Sequence, residues 1–120
     1  MIVYLAGGMK SQWQDKVIQS CQKHQFIDPR THGLTDEREY TRWDLAGIVH
    51  SDLVLAYMDT ENPSGYGLCL EVGYAYAMDV PVLYVCEDTQ DRQRYFGMVR
   101  ACSSRVFTSL NEAIAHLCKD

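Results

Sequence analysis

Paired cysteine motifs, metal-ligand spacing and long apolar runs are all missing from this sequence of 120 residues. No apolar stretch reaches the roughly 20 residues that a membrane-spanning helix needs, and no secretory signal peptide is visible. The cysteines are odd in number and are never spaced as C-x-x-C, the pattern of many redox and zinc sites. We therefore expect a soluble, cytoplasmic protein whose cysteines are reduced and pack as small hydrophobic residues. The five are Cys21, Cys69, Cys86, Cys102 and Cys118.

Positive charge is scarce as well. The 11 lysines and arginines are outnumbered by 16 aspartates and glutamates, which gives a formal net charge of −5. A protein that holds a nucleic-acid polymer by its phosphates needs a basic surface, so this class is excluded, whereas a single nucleotide remains a plausible ligand. The histidines share no ligand spacing with one another or with the cysteines, and we predict neither a metal site nor a cofactor. They are His24, His32, His50 and His116.

Apolar runs of strand length alternate with helical patterns along the whole chain. This alternation predicts one α/β domain over residues 1–120, in which helices cover both faces of a parallel sheet. Right-handed crossovers favour a flavodoxin-like three-layer sandwich whose five strands follow the order 2-1-3-4-5. Residues 30–39 are expected to form a loop. We expect strands at 2–6, 25–28, 52–58, 80–86 and 104–107, and helices that start near 11, at 40, at 68, before 100 and at 110.

Glycines and a carboxylate follow the first and third strands, where an open parallel sheet binds its ligand. Gly7 and Gly8 end the first strand and predict a tight turn that brings backbone N–H groups toward a phosphate or a sugar. Lys10 follows in the same turn, and Asp59 ends the third strand. The turn matches neither G-x-G-x-x-G nor G-x-x-x-x-G-K-[ST], and a loop lysine or a strand-end acid is often only solvated or a cap. All four residues remain candidates for substrate binding.

One predicted helix contains a single carboxylate in an otherwise apolar sequence. A turn signal at 63–67 precedes a run from 68 to 78 that is apolar nearly all round, which predicts a helix in the interior of the fold. Glu71 stands in the first turns of this helix. Burying an unpaired carboxylate is unfavourable, so its surroundings must supply hydrogen bonds or raise its pKa. Glu71 is therefore either a structural residue that complements the helix dipole or pairs with an arginine, or a reactive group.

Four separated stretches share their order and spacing with one enzyme family over roughly residues 1–86. They are Tyr4-Leu-Ala-Gly7, Asp44-Leu-Ala-Gly-Ile48 with Ser51-Asp52, Ser64-Gly-x-Gly followed by Glu71-Val-Gly-Tyr-Ala-Tyr-Ala77, and Pro81-Val-Leu. Each stretch is permissive alone, but their combination resembles the nucleoside 2-deoxyribosyltransferase family, which includes the 2′-deoxynucleoside 5′-phosphate N-hydrolases.

The resemblance implies that Glu71 is a nucleophile. A carboxylate that attacks C1′ of a deoxyribonucleoside forms a covalent glycosyl-enzyme through an oxocarbenium-like transition state, as in retaining glycoside hydrolysis. The resemblance also implies that the hydroxyl of Tyr4 orients this carboxylate and that Asp44 recognises the base and delivers a proton to it. Asp59 is a second candidate proton donor by its position alone. The alternatives are that Tyr4 is a core aromatic residue and that Asp44 is an inert residue on an exposed helix face.

For the hydrolase branch, the resemblance implies a phosphate site at the turn after the first strand and at a serine before the nucleophile. The turn lacks the further glycines of that branch, and Tyr95-Phe96-Gly97 stands where a serine of the partner subunit is expected. On the transferase side, a glycine replaces the acid that often lies six positions before the nucleophile. Trp13 could stack on the base or pack its own helix. The candidate substrate-binding residues of these turns are Gly7, Gly8, Lys10, Ser64, Gly65 and Gly67.

The sequence therefore predicts an enzyme that cleaves the N-glycosidic bond of 2′-deoxyribonucleosides and transfers the sugar to another nucleobase. Two alternatives stay open: hydrolysis of a deoxynucleoside or its 5′-phosphate, with water as acceptor, and a non-catalytic nucleotide-binding module. The expected partners are small molecules, namely a deoxyribonucleoside or deoxyribonucleotide and a free nucleobase, without a nucleic-acid polymer or a membrane. The resemblance also implies a homo-oligomer in which a neighbouring subunit completes each site.

Overall fold

The computed structural model describes residues 1–60, 65–87 and 93–119, and the predicted fold is confirmed. Five parallel strands form one sheet in the order β2-β1-β3-β4-β5. The central strands are apolar on both sides because helices cover both faces of the sheet. The strands are β1 Ile2–Gly7, β2 Gln25–Ile27, β3 Leu53–Met58, β4 Val82–Cys86 and β5 Arg105–Phe107.

Helices pack on the two faces of this sheet and divide the core in two. They are α1 Trp13–Ser20, α2 Glu37–His50, α3 Tyr66–Ala77, α4 Gly97–Ala101 and α5 Leu110–Leu117, with 3₁₀ turns at Pro29–Thr31 and Arg94–Phe96. Side chains alternate along β1, so Val3 and Leu5 join the core under α1 and α5, whereas Tyr4 and Ala6 join the core under α2, α3 and α4. None of the helices in the described part of the chain is long and apolar enough to cross a membrane.

The strand order reverses between β1 and β3. The chain leaves β1 toward β2 on one side and leaves β3 toward β4 on the other. Such a reversal opens a crevice at the carboxyl ends of the two strands, which is where open α/β sheets bind ligands. Gly7 pairs with Tyr57 at this end, so the turn after β1 and the loop after β3 start side by side.

Two helices start differently from the prediction. The first helix starts at Trp13 and not near residue 11, because Gln12 precedes it in a left-handed conformation, with φ of 58°, and no side chain caps it. The second helix starts at Glu37, earlier than predicted, because the Asp36 side chain accepts a hydrogen bond of 3.1 Å from the N–H of Glu39. Residues 30–39 are therefore only partly a loop.

The prediction that α3 is buried on all sides is wrong. Leu68 and Val72 face the sheet, but Tyr66 and Tyr76 are 82% and 61% exposed, and Leu70 also points outward. A helix in an outer layer of a three-layer sandwich has only one neighbouring layer, so one of its apolar faces is left open in the single chain. This outer face of α3 is a large apolar surface beside Glu71.

The prediction that all five cysteines are reduced is wrong for one pair. Cys21 and Cys118 form a disulfide between the C-terminal ends of α1 and α5, with Cα atoms 5.4 Å apart. Their separation of 97 residues hides the pair in the sequence, because only the packing of the two helices on one face of the sheet brings them together. Cys69, Cys86 and Cys102 have free thiols.

Candidate active site

The carboxylate of Glu71 meets the hydroxyl of Tyr4 between α3 and the sheet. Tyr4 lies in the middle of β1 and is fully buried, so packing holds its ring on all sides. Its hydroxyl donates a hydrogen bond to Oε2 of Glu71, which lies in the second turn of α3. The structure thus brings together two residues that the family resemblance assigns to one reaction.

Burial dominates the electrostatics of this pair. Loss of solvent raises the pKa of Glu71 to about 7; the hydrogen bond from Tyr4 opposes this rise, and the negative charge of Asp44 adds to it. Burial, together with the charge of Glu71, raises the pKa of Tyr4 far above its usual range, so the phenol keeps its proton and remains a donor. A carboxyl group with this pKa is partly ionised at neutral pH and is oriented by one donor, and both properties suit a nucleophile.

Asp44 reaches the same site from α2, with His32 behind it. Oδ1 of Asp44 lies 3.4 Å from Nε2 of His32, within ion-pair range but without hydrogen-bond geometry. Nδ1 of His32 accepts a hydrogen bond of 2.9 Å from the N–H of Leu34, which places the proton of the neutral ring on Nε2, toward Asp44. Burial raises the pKa of the Asp44 carboxyl, and His32 opposes the rise. The ring of Trp43 packs edge-on against His32, 4.8 Å away, and fixes its orientation.

A cavity of about 300 Å³ opens between α2 and α3, with a carboxylate on each wall. Asp44 lines it from α2 and Glu71 from α3, and most of the remaining surface is apolar. Tyr40 and Tyr66 place one aromatic ring on each helix at this cavity, and both are exposed. Its volume lies at the lower end of the range for small-molecule sites, about 300–1,000 Å³. Thr41, Leu45, Gly67 and Leu70 complete the lining.

The glycine turn after β1 is held by buried donors. The carbonyl of Gly8 accepts hydrogen bonds from Nε1 of Trp13, at 2.8 Å, and from Nε2 of Gln14, at 3.0 Å. A Cβ atom on Gly7 would lie 2.5 Å from the carbonyl oxygen of Tyr57, so only glycine fits there. Trp13 is 4% exposed and packs edge-on against the Tyr57 ring, 5.1 Å between centroids. This geometry favours packing over base stacking for Trp13.

Ser11 and Asp59 link the carboxyl ends of β1 and β3. The hydroxyl of Ser11 donates a hydrogen bond to Oδ2 of Asp59, whose Oδ1 is buried without a partner. Asp59 is 4% exposed, whereas the side chain of Lys10 is exposed to solvent. These residues lie at the switch-point crevice, but none of them lines the cavity between α2 and α3.

The loop before α3 is described only in part. Ser64, a candidate phosphate contact, lies outside the described residues. Gly65 begins the helix with φ of 80°, and a Cβ atom there would lie 2.8 Å from Sδ of Met58. This position therefore requires glycine for its backbone, and Gly67 lines the cavity one turn before Glu71.

Three residues at this site escape the sequence analysis, namely His32, Tyr40 and Tyr66. His32 lies in the segment interpreted as a loop, and its contact with Asp44 depends on how that segment folds back, so no local signal marks it. Tyr40 could be predicted to lie beside Asp44 if α2 were known to start at Glu37. Residues four apart share a helix face, and Tyr40 precedes Asp44 by one turn. Tyr66 reads as an ordinary core residue when α3 is taken as buried.

A larger depression, of about 570 Å³, lies at the amino ends of β4 and β5, whereas the switch-point crevice lies at the carboxyl ends of the strands. It is lined by residues before β4 and β5, from Val80 to Pro81 and from Ala101 to Ser104, and contains one carboxylate, Asp79. None of the residues that the sequence analysis assigns to a site lines it. Volume alone therefore does not locate the chemistry of this protein, and we assign the site to the smaller cavity with its two acids.

Asp44 and Glu71 line one cavity, and neither forms an ion pair with an arginine or a lysine in the part of the chain that the structure describes. A pair of carboxylates in one cavity is typical of enzymes that act on glycosidic bonds. The sequence pattern described as "Nucleoside 2-deoxyribosyltransferase" matches residues 3–108. The chain therefore belongs to the nucleoside 2-deoxyribosyltransferase family, whose enzymes act on N-glycosidic bonds. No curated protein sequence matches it.

Solved structures share the whole fold at low sequence identity. The 2-deoxyribosyltransferase from the psychrotolerant bacterium Bacillus psychrosaccharolyticus superposes with a TM-score of 0.73 at 18% identity, over 100% of this chain and 93% of that chain. A 2-desoxiribosyltransferase from Leishmania mexicana gives 0.73 at 18% identity, over 98% and 96%. The CMP N-glycosidase BcmB of Clostridium botulinum gives 0.68 at 18% identity, over 98% and 97%. At this identity, the superpositions establish the α/β architecture and not the substrate.

Proposed function

We propose that this chain transfers a 2-deoxyribosyl group from one nucleobase to another through a covalent bond to Glu71. The observation that carries the proposal is the state of this carboxylate. Burial raises its pKa to about 7, Tyr4 orients it, and it lines a cavity opposite a second acid. A carboxylate that served only the fold would gain from a cation beside it, and Glu71 forms no ion pair with the described residues.

The first half-reaction breaks the bond between C1′ of the deoxyribose and a ring nitrogen of the base. The hydrogen bond from Tyr4 occupies Oε2 of Glu71, which leaves Oε1 to form the new bond to C1′. The electron pair of the broken bond leaves with the base, and the sugar becomes an ester of Glu71. A poorly solvated carboxylate stabilises the positive charge that develops at C1′ more strongly than a solvated one would.

The departing base needs a proton, and Asp44 is placed to supply it. Asp44 lines the same cavity as Glu71, and the Nε2–H of His32 faces its carboxylate, so His32 can orient Asp44 toward the base. The base would lie among the apolar and aromatic side chains of the cavity, near Tyr40 and Tyr66. In the second half-reaction an incoming base gives its proton to Asp44, attacks C1′ and releases Glu71, so the configuration at C1′ is retained.

Hydrolysis is the second candidate function. It uses the same ester but lets water attack C1′, and the exposure of Tyr66 at the cavity favours it, because water can enter from that side. The substrate would then be a deoxynucleoside or its 5′-phosphate. Either reaction would place the chain in nucleotide metabolism, and transfer would serve nucleotide salvage.

We also propose that a second copy of the chain covers the outer face of α3. The exposed residues Tyr66, Leu70 and Tyr76 form one apolar surface, and Met98 of α4 is another exposed apolar residue of this layer. Solitary domains rarely leave so much apolar surface uncovered. Because Tyr66 and Leu70 also line the cavity, a copy packed on this face would shield the ester from water and favour transfer over hydrolysis.

Product analysis separates the three functions. The protein is incubated with each deoxynucleoside and each deoxynucleoside 5′-monophosphate, with and without a second free base, and the products are separated by chromatography. A new nucleoside or nucleotide supports transfer, and free base with free deoxyribose, or with deoxyribose 5-phosphate from a monophosphate, supports hydrolysis. Binding without any product would contradict both reactions and leave the non-catalytic module.

The nucleophile is tested in the same assay. Glu71→Gln should abolish turnover and leave the fold intact, whereas Glu37→Gln, which alters an exposed acid on α2, should have no effect. Mass spectrometry of the acid-quenched wild type should show one added deoxyribosyl group, and the Glu71→Gln protein should lack it. Undiminished turnover in Glu71→Gln would refute the assignment.

A further inference from the structure

Gly47 lies where α2 passes over the ring of Tyr4. A Cβ atom on Gly47 would lie 3.1 Å from both Cδ2 and Cε2 of Tyr4 and 3.0 Å from Cγ2 of Ile27. Such separations are shorter than most contacts of real Cβ atoms, so any side chain at this position requires the ring, Ile27 or the helix to move. The ring of Tyr4 is fully buried and therefore has little room to adjust.

Backbone geometry does not explain a glycine at this position. Gly47 lies within α2, and it is not among the glycines with positive φ, which are Gly7, Gly33 and Gly65. Glycine is unfavourable in the interior of a helix relative to alanine, because it loses more backbone freedom on folding. The close approach to Tyr4 and Ile27 is the remaining physical reason for its presence.

We propose that Gly47 is a positioning residue of the active site: it lets α2 lie against the Tyr4 ring and thereby sets the position of the Tyr4 hydroxyl on Glu71. Gly47 follows Asp44 by three residues, so the two share one face of α2, and the same close approach brings Asp44 to its wall of the cavity. The contact between Gly47 and Tyr4, and its effect on the hydrogen bond to Glu71, do not depend on which reaction the protein catalyses. Only the consequence for catalysis rests on the proposed function.

The groups that face Glu71, among the described residues, come from three segments. Tyr4 on β1 donates a hydrogen bond that lowers the pKa of Glu71, Asp44 on α2 raises it by charge, and His32 lies behind Asp44. An alanine at Gly47 would weaken the hydrogen bond by displacing the ring, or would move Asp44 away by lifting the helix. The hydrogen bond has the larger effect of the two, so we expect a net rise of the Glu71 pKa.

The test is a ¹³C NMR titration of the Glu71 carboxyl group, which needs no substrate. In Gly47→Ala the pKa of Glu71 should rise by about one unit, because a hydrogen bond to a charged group is weakened. Tyr4→Phe should give a shift at least as large, and adding Gly47→Ala to Tyr4→Phe should shift the pKa no further, because both changes act through one hydrogen bond. Ala46→Ser, at the exposed neighbouring position on α2, should leave the titration unchanged.

Two results overturn the proposal. One is an unchanged Glu71 pKa in a folded Gly47→Ala protein, and the other is a shift of full size in the Tyr4→Phe background. Should Gly47→Ala not fold, Tyr4→Leu with Gly47→Ala tests the contact directly: recovery of folding supports it, and failure to recover overturns it. The acidic limb of the kcat/KM profile should move up with the pKa. A wild type without turnover contradicts the proposed function and leaves the NMR result intact.

Discussion

Single residues at this site favour reactivity over stability, and Glu71 shows this most clearly. Its pKa rises from an ordinary value of 4.5 to about 7 on folding, chiefly because the carboxylate loses solvent. Between these two pH values the folded chain keeps a proton that the unfolded chain has released. Stability therefore falls as the pH rises through this window, by about 3 kcal/mol in total.

Glu71→Gln should remove this pH dependence. We expect the variant to be more stable than the wild type at pH 8, by up to about 3 kcal/mol, and the difference to shrink toward pH 4.5. Urea unfolding at a series of pH values measures it. Glu37→Gln should follow the wild type at every pH, since this carboxylate is exposed. A difference between Glu71→Gln and wild type that stays constant from pH 4.5 to 8 would show that Glu71 is well solvated.

His32 should matter for the departure of the base. His32→Phe keeps an aromatic ring against Trp43 and removes the Nε2–H that faces Asp44. We expect kcat to fall by roughly tenfold to a hundredfold for bases that leave only when protonated, and by less for bases that leave readily. The measurement is kcat for two deoxynucleosides whose bases differ in basicity, with His50→Gln as an exposed control. An equal loss for both substrates would assign His32 a structural role.

The sequence allows part of this site to be predicted. Tyr4, Asp44 and Glu71 lie in contiguous motifs, and the resemblance that identifies them depends only on order and spacing. The tautomer of His32 depends on the N–H of Leu34, and its contact with Asp44 depends on a distance between two segments. Contacts of this kind arise from the packing of a turn against a helix, which no local pattern records.

The starts of the helices also differ in whether neighbouring residues or distant residues determine them. Asp36 and Glu39 have the spacing of a capping box, so the early start of α2 could be predicted from the sequence. The start of α1 could not, because Gln12 precedes the helix in a left-handed conformation without a side-chain cap, and Ser11 donates a hydrogen bond to Asp59, a residue 48 positions away. The sequence of α3 is apolar on two faces, so it does not predict which face packs against the sheet and which is exposed.

The outer face of α3 should therefore hold two copies together. Tyr76→Lys places a charge on this face away from the cavity, and we expect it to convert an oligomer into monomers in analytical ultracentrifugation. The expected loss of kcat/KM is severalfold, since the cavity would lose its cover. Val106→Lys, on the exposed side of β5, is the matched control and should leave the oligomer unchanged. A wild type that is monomeric at all concentrations would contradict this role of α3.

At the scale of the whole molecule, topology is the most predictable property. The buried strands β1, β3 and β4 are short apolar runs that helices separate in the sequence. The right-handed crossover rule leaves few ways to order such strands in one sheet. The strand order then places the ends of β1 and β3 together without further information. The partner of Cys21 is not predictable in this way, because it depends on how the last helix sits beside the first.

The Cys21–Cys118 disulfide closes a loop over nearly the whole chain and should stabilise it strongly. A loop of this length restricts the unfolded chain by about 4–5 kcal/mol in the chain-entropy model, so reduction should lower Tm by roughly 15–20 °C. Cys118→Ser should show the lower Tm with or without reductant, whereas Cys102→Ser should still respond to reductant. Alkylation of the unfolded, unreduced protein should label only the three free thiols, Cys69, Cys86 and Cys102. Labelling of all five, with a Tm that reductant does not change, would show that the two helix ends are held by packing alone.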